Sequence, residues 1–387
     1  MLFRSYSVSV LTRPQLNDFF AEVERLPEAT WAVNRTRIGE TPVFYEALTK
    51  AGYLNNEPGT TADPVFTGHA FRAFTFQQVL VPARWFGWLS VVPRAGMGGT
   101  YYSDSRGGSN EVSRALHNLG VDTSFKMSRT WPDVQNRWLG IDGLRHIIQP
   151  FANYHWMPPS DNRTNELFQF DTERFVTLRG GDSLSLTRYL PVEIPSRTTI
   201  DSIDREHFVR MGLRQTLQTR RDGAAWDLAE LEGWTDYRVE RQDGQNEFSD
   251  IFGTLRLRPT RWLSLDSFAR YDKEGGVIRE CNNSVRVSRD DQWAVGVGTR
   301  YLRNDSNLVT VDATWRLARK WVVQTYQRVD MEDGQWESQD YLLRQETHDW
   351  LISYGFRMQS QRVKKDDYTF YVSVTLKAFP NVILNFN

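Results

Sequence analysis

The stretch Leu308–Leu317, LVTVDATWRL, decides the fold class. Val309, Val311, Ala313, Trp315 and Leu317 fall on one face of an extended chain, and Thr310, Asp312, Thr314 and Arg316 fall on the other. Successive side chains of a strand point to opposite faces, so a strict period of two predicts a strand whose faces meet different media. The same reading extends outward along the chain. In Trp293–Tyr301 one face carries Trp293, Val295, Val297, Thr299 and Tyr301, against Ala294, Gly296, Gly298 and Arg300. Trp350, Ile352, Tyr354, Phe356 and Met358 oppose Ser353, Gly355, Arg357 and Gln359; Tyr368, Phe370, Val372, Val374 and Leu376 oppose Thr369, Tyr371, Ser373 and Thr375.

Two features of these runs point to lipid as one of the media. Each run has the length of a tilted β crossing of a hydrocarbon layer, about 9 to 11 residues. The apolar faces also begin or end on Trp293, Tyr301, Trp315 and Tyr368, as expected for aromatic girdles at the two membrane interfaces. Polar connections such as Asp272–Gly276, Arg303–Asn307 and Glu332–Gln335 separate the runs, which predicts an up-and-down meander of neighbouring strands. In lipid every backbone group must find a partner, so the predicted fold is an all-β, antiparallel, transmembrane β-barrel.

Composition narrows the function classes. Among 387 residues, 47 Lys and Arg balance 48 Asp and Glu, a net charge of −1, which removes the electrostatic case for nucleic acid as a partner. Aromatic residues make up 13% of the chain, which excludes disorder, and the mean hydropathy of −0.54 is low because only alternate residues would face lipid. Cys281 is the single cysteine and the six histidines are scattered, so neither a disulfide nor a metal site is predicted. No run approaches the roughly 20 apolar residues of a spanning helix. The longest candidate, Trp85–Pro93, is interrupted by Gly87 and Ser90.

Residues 205–387 read as a regular meander and residues 1–204 as a less regular front part, within one barrel unit covering 1–387. In the front part, Leu16, Phe19, Phe20 and Val23 have helical spacing, predicting a short amphipathic helix before Pro27. Ala70–Val79, Gly87–Met97, Leu116–Met127 and His146–Trp156 read as strands, and Asp161–Asp204 as a long polar loop. The total is about 19 strands. The amino terminus lacks the continuous apolar core of a secretory signal, so the chain is read either as cytosolic or as starting downstream of its true beginning.

No catalytic, cofactor-binding or metal-binding residue is predicted. Gly181–Ser185 lacks the second glycine of a nucleophile elbow, and no phosphate-binding glycine loop occurs. Asp227, Glu230, Glu232 and Asp236 recur with arginines on polar strand faces, which reads as a hydrated lumen more simply than as a glycosidase pair. Arg210, Arg214, Asp312, Arg316 and Arg328 are the candidate lumen charges, suited either to phosphorylated sugars or to pairing with one another. Other readings of the same pattern are a porin, a transporter barrel, or a soluble β-rich protein that binds or cleaves glycans.

Four tracts carry a family resemblance: residues 16–46 (LNDFFAEVERLPEATWAVNRTRIGETPVFYE), Arg145–Pro158 (RHIIQPFANYHWMP), Glu166–Phe175 (ELFQFDTERF) and Leu255–Asp272 (LRLRPTRWLSLDSFARYD). With the terminal meander they resemble the carboxy-terminal barrel of the LPS-assembly family LptD, the organic solvent tolerance proteins. The resemblance implies a Gram-negative outer-membrane barrel of about 26 strands, larger than this chain alone supplies. It implies a substrate, lipopolysaccharide, received from periplasmic LPS-bridge proteins through an amino-terminal jelly roll. The substrate would leave sideways into outer-membrane lipid between the first and last strands, with an LptE-like lipoprotein plugging the lumen. No jelly-roll tract is recognised here, the family's cysteine pairs are absent, and the chain is read as the carboxy-terminal portion of a longer protein. Only the last-strand side of the lateral seam transfers, onto Tyr368, Phe370, Val372, Val374 and Leu376. No bond is made or broken in such transport, so neither enzyme activity nor a cofactor is expected.

Overall fold

The computed structural model describes residues 5–15, 22–57, 68–106, 111–160, 162, 164–171, 176–177, 183–184, 200–241, 244–332, 334–360, 366–378 and 383–386. They form one antiparallel sheet of 21 strands and a separate small hairpin. The front part of the sheet comprises β1 (Tyr6–Arg13), β2 (Glu22–Arg37), β3 (Phe44–Glu57), β4 (Gly68–Leu80), β5 (Ala83–Trp85), β6 (Leu89–Tyr102), β7 (Val112–Phe125), β8 (Met127–Asn136) and β9 (Ile141–Met157). The small hairpin pairs β10 (Val176–Thr177) with β11 (Ser183–Leu184).

The meander continues with β12 (Glu206–Arg221), β13 (Ala224–Arg238), β14 (Ile251–Leu257), β15 (Leu263–Asp272), β16 (Val277–Arg289) and β17 (Trp293–Leu302). It ends with β18 (Ser306–Ala318), β19 (Trp321–Asp330), β20 (Gln335–Glu346), β21 (Trp350–Gln359), β22 (Asp367–Leu376) and β23 (Ile383–Phe386).

Each strand pairs with its sequence neighbour. β5 prolongs β4 along β6, and β8 prolongs β7 along β9, so the 21 strands make 19 passes, the number read from the sequence. The ladder steps from β9 directly to β12, across residues 158–205. Among the described residues β1 pairs only with β2, and β23 only with β22, so the meander's two ends present unladdered edges. All of β1 is exposed.

Turn chemistry explains why the hairpins form where the polar breaks fall. Gly276 and Gly334 take φ of +64° and +67°, in the connections predicted at Asp272–Gly276 and Glu332–Gln335. Each of these four-residue loops re-enters its strand through a left-handed residue, which glycine adopts without steric cost.

The apolar faces point outward. Val295, Val297, Val311, Trp315, Leu317, Tyr354, Tyr368 and Phe370 are all exposed large side chains, an arrangement that makes sense only against lipid. Trp293 pairs directly with Trp315 at one rim, while Tyr301 stands at the other end of the same strand. The eight-residue rise from Trp293 to Tyr301 corresponds to about 26 Å along the strand, enough after tilting for most of a hydrocarbon layer. Connections at one rim are short (222–223, 290–292, 319–320, 347–349), and those at the other include the long segments 58–67, 103–111, 158–205 and 239–250. Short turns mark the periplasmic rim of such barrels and long loops the extracellular one.

Two sequence expectations need correction. The predicted helix over Leu16–Val23 lies mostly outside the described residues, but Val23 and Pro27 belong to β2, whose register shifts between Arg25 and Glu28. The segment 161–204 is not simply a polar loop. Its described part contains a 3₁₀ turn, Thr164–Glu166, and buries Leu167, Phe168, Phe170, Ile200 and Ile203.

Candidate functional site

The polar strand faces converge on an interior, and the sequence-predicted charges all lie there. Arg210 faces Asp236 at 2.7 Å, Arg214 faces Glu232 at 2.7 Å, and Asp312 meets Arg286 at 3.1 Å. Arg316 lies 3.7 Å from Glu346 and 3.8 Å from Asp291, and Arg328 lies 2.9 Å from Glu337. Every one of the five therefore has an opposite charge across the ladder or in the adjoining turn. The direct register pairs Arg210↔Asp236 and Arg214↔Glu232 come from hairpin β12–β13. Directly opposed side chains sit about 5 Å apart at Cβ, within reach of an Arg–carboxylate pair. Of the two readings open in the sequence, mutual pairing is the one the geometry supports.

A second site was not foreseen. Loop residues 164–171 and 200–204 fold into the interior against the inner faces of the early strands. One apolar contact joins Leu167, Phe168 and Phe170 to Leu54, Ala70 and Tyr102. Another joins Ile200 and Ile203 to Phe74, Phe76, Leu116 and Met157. Gly68 makes the first contact possible, because a Cβ there would stand 2.3 Å from the Phe168 ring.

Between these contacts lies a buried charge node. Arg72, 1% exposed, donates to Asp171 at 2.6 Å, Asp201 at 2.8 Å and Glu28 at 3.0 Å. Tyr102 donates its hydroxyl to Asp201, whose other oxygen accepts from the backbone N–H of Phe170 at 2.7 Å and of Asp171 at 3.0 Å. Arg25 adds a second guanidinium beside Glu28 and Asp171. Arg114 of β7 clamps the same loop by donating to the carbonyls of Ile203 at 2.6 Å and Ile200 at 2.5 Å. Burial pushes the Asp201 carboxyl above its ordinary range, and Arg72 pulls it back. Inward alternation in the early strands (Ala70, Arg72, Phe74, Phe76) was the available signal. It shows apolar residues on the polar side, which only a covering segment can bury.

A third feature is an open concavity of about 570 Å³ on the inner wall of β12–β16, lined by Arg214, Glu230, Glu232, Arg256, Asp266 and Phe268 among others. Arg256 is held between Glu230 and Asp266, 3.0 Å from each.

The predicted seam residues Tyr368, Phe370, Val372, Val374 and Leu376 lie together on the outward face of β22, the face that Phe356 shares through its contacts with Tyr368 and Phe370. β22 is followed by β23, which pairs with it only over Val372–Thr375. The Asp367–Tyr371 part of β22 has no second strand among the described residues, and Phe370 there is 72% exposed.

An up-and-down antiparallel sheet with a lipid-facing apolar band, two aromatic rims and a charged interior defines the outer-membrane β-barrel class. Within it, the family model for LptD, LPS transport system D, matches residues 6–321, and the chain belongs to that family. It is accordingly a protein of the Gram-negative outer membrane. No curated protein matches it. Among solved structures it is similar to the FpvAI–pyocin S2 complex (TM-score 0.34, 9% identity, 93% of this chain and 61% of that one). It is also similar to the siderophore receptor PiuA from Acinetobacter baumannii (0.35, 8%, 98% and 72%) and to the copper transporter OprC (0.34, 10%, 93% and 66%). The chain thus spans about two thirds of the length of these structures.

Proposed function

We propose that this barrel assembles lipopolysaccharide into the outer leaflet of the outer membrane, holding the sugar head in its hydrated interior while the acyl chains enter lipid at a lateral seam whose last-strand side is β22. Membership of the LptD family over residues 6–321 is the observation that carries this reading. The physics agrees with it. An amphiphile with a charged sugar head and several acyl chains suits neither water nor hydrocarbon, and a barrel with a polar interior and an unladdered edge offers each half its own medium. The Asp367–Tyr371 stretch of β22, laddered on its β21 side alone among the described residues, supports the position of that edge. The proposal includes an LptE-like lipoprotein and periplasmic LPS-bridge proteins as partners, and transport without catalysis. Depletion of the protein from growing cells is expected to lower lipopolysaccharide at the cell surface, measured by labelling intact cells. Unchanged surface lipopolysaccharide after depletion overturns the assignment.

A further inference from the structure

The concavity on β12–β16 opens onto the interior, and its chemistry differs from that expected of a phosphate-binding surface. Two guanidiniums, Arg214 and Arg256, face three carboxylates, Glu230, Glu232 and Asp266. Both guanidiniums are already engaged: Arg214 by Glu232 at 2.7 Å and by the face of Phe151 at 4.6 Å, Arg256 by carboxylates on both flanks. A phosphate entering here would meet one more negative than positive charge and no guanidinium fork left open for the two-pronged contact it needs.

A neutral polyol meets the opposite situation. The five charged side chains are between 33% and 51% exposed to the interior, so their outer lone pairs and N–H groups remain available to hydroxyls. Thr216, Thr254 and Ser284 add short hydroxyls, and the Asn282 side-chain carbonyl is buried without a hydrogen-bond partner. Phe268 offers the one aromatic ring within the lining, the flat apolar surface on which a sugar's C–H face stacks. Across the ladder from the ring stands Asn282, followed on β17 by Arg300, while Ser284 beside it pairs with Gly298. Planar charged groups fixed by one another, small hydroxyls and one half-buried ring make a surface that discriminates by hydroxyl geometry and not by charge.

We infer that this groove is an oligosaccharide-binding subsite that holds the uncharged sugars of the transported head group, with Phe268 as its stacking platform and Glu230, Asp266 and Arg256 as its hydroxyl-binding edge. The inference rests on the proposed transport function and assigns the sugar's resting place within it. It also places the phosphate-bearing part of the head group elsewhere, because the five predicted lumen charges are paired.

The test uses the full chain purified in detergent and core oligosaccharide released by mild acid from the cell's own lipopolysaccharide, before and after removal of its phosphates with hydrofluoric acid. Equilibrium dialysis is expected to show equal binding of both preparations, with inorganic phosphate at millimolar concentration unable to compete. Phe268→Ala and Glu230→Gln each lower the affinity about tenfold, and Val297→Ala, on the outward face and outside the groove, leaves it unchanged. Thr254→Trp fills the groove from a position that is itself in none of its ion pairs and abolishes binding, while the elution profile and heat-modified gel migration stay as in the parent. Loss of binding on removal of phosphates, absence of binding by either preparation, or parental affinity in Phe268→Ala and Thr254→Trp would each overturn the inference. Surface lipopolysaccharide after depletion reports on the transport function separately, so failure of the groove and failure of that function give different results.

Discussion

Arg72 shows how much one side chain decides in this molecule. A guanidinium at 1% exposure has no water to solvate it, and it is retained because Glu28, Asp171 and Asp201 surround it. Removing one partner of a buried ion network costs about 3–5 kcal/mol, since the charges left behind have no solvent either. Arg72→Met is therefore expected to destabilise the folded barrel on that scale, read from urea unfolding in lipid vesicles by tryptophan fluorescence. Adding Asp201→Asn to Arg72→Met removes one of the stranded carboxylates. The double variant should be more stable than the sum of the singles predicts, by a coupling of about 0.5–3 kcal/mol. Strict additivity would show that the two groups do not act as a unit.

Among the elements, β18 tests the assignment of faces and the inward loop tests closure of the interior. Val311 and Thr314 lie three residues apart in one strand and on opposite sides of the wall. Val311→Arg puts a charge into the hydrocarbon band and is expected to cost about 2–4 kcal/mol. Thr314→Arg adds the same charge to the wet interior opposite the small Ala294, at a cost within about 0.5 kcal/mol. Equal losses in vesicle unfolding would contradict the orientation. For the loop, Gly68→Val drives a branched side chain into the Phe168 ring, 2.3 Å from where a Cβ would stand. The expected outcome is a weakened loop dock and a higher single-channel conductance in planar bilayers. Phe168→Ala vacates the space, so the Gly68→Val/Phe168→Ala pair should add little conductance beyond that of Phe168→Ala alone. A conductance unchanged in both single variants would mean that this loop does not limit passage.

At the scale of the whole molecule, the consequential feature is uneven laddering among the described residues. Seventeen of the 19 passes have a ladder on either side, but the β23 side of β22 is covered only over Val372–Thr375. Under the proposed transport function, a barrel that releases acyl chains sideways needs one seam weaker than the rest, and the part of β22 with no second described ladder is where that weakness is proposed. Phe370→Arg on the outward face of β22 is predicted to lower surface lipopolysaccharide more than Val297→Arg on the outward face of β17, at matched barrel levels in the membrane. Equal surface lipopolysaccharide in the two variants would exclude lateral release along β22.

Strand number, face polarity and hairpin positions were legible in the chain itself. Val309 to Leu317 alternates because lipid and water act on each residue separately, and Gly276 and Gly334 mark their turns by local backbone geometry. These are short-range effects, so short stretches of sequence carry them. The lumen charges were legible as a face, since Arg210, Arg214, Asp312, Arg316 and Arg328 share strand parity with other polar residues. Whether they bind ligand or each other was not legible, because the carboxylates that satisfy them are chosen by cross-strand register. The inward loop was the plainest miss. Residues 161–204 are polar enough to pass for a solvent loop, and only the three-dimensional convergence of β2, β4, β6 and β7 creates the apolar and charged surface that Leu167, Phe168, Ile200 and Asp201 fill. The sequence by itself determined a membrane-crossing meander with a wet interior, because periodicity is a local consequence of two solvents. Only the tertiary structure decided what fills that interior, because burial of a node such as Arg72 with Asp171 and Asp201 depends on contacts between residues about a hundred positions apart.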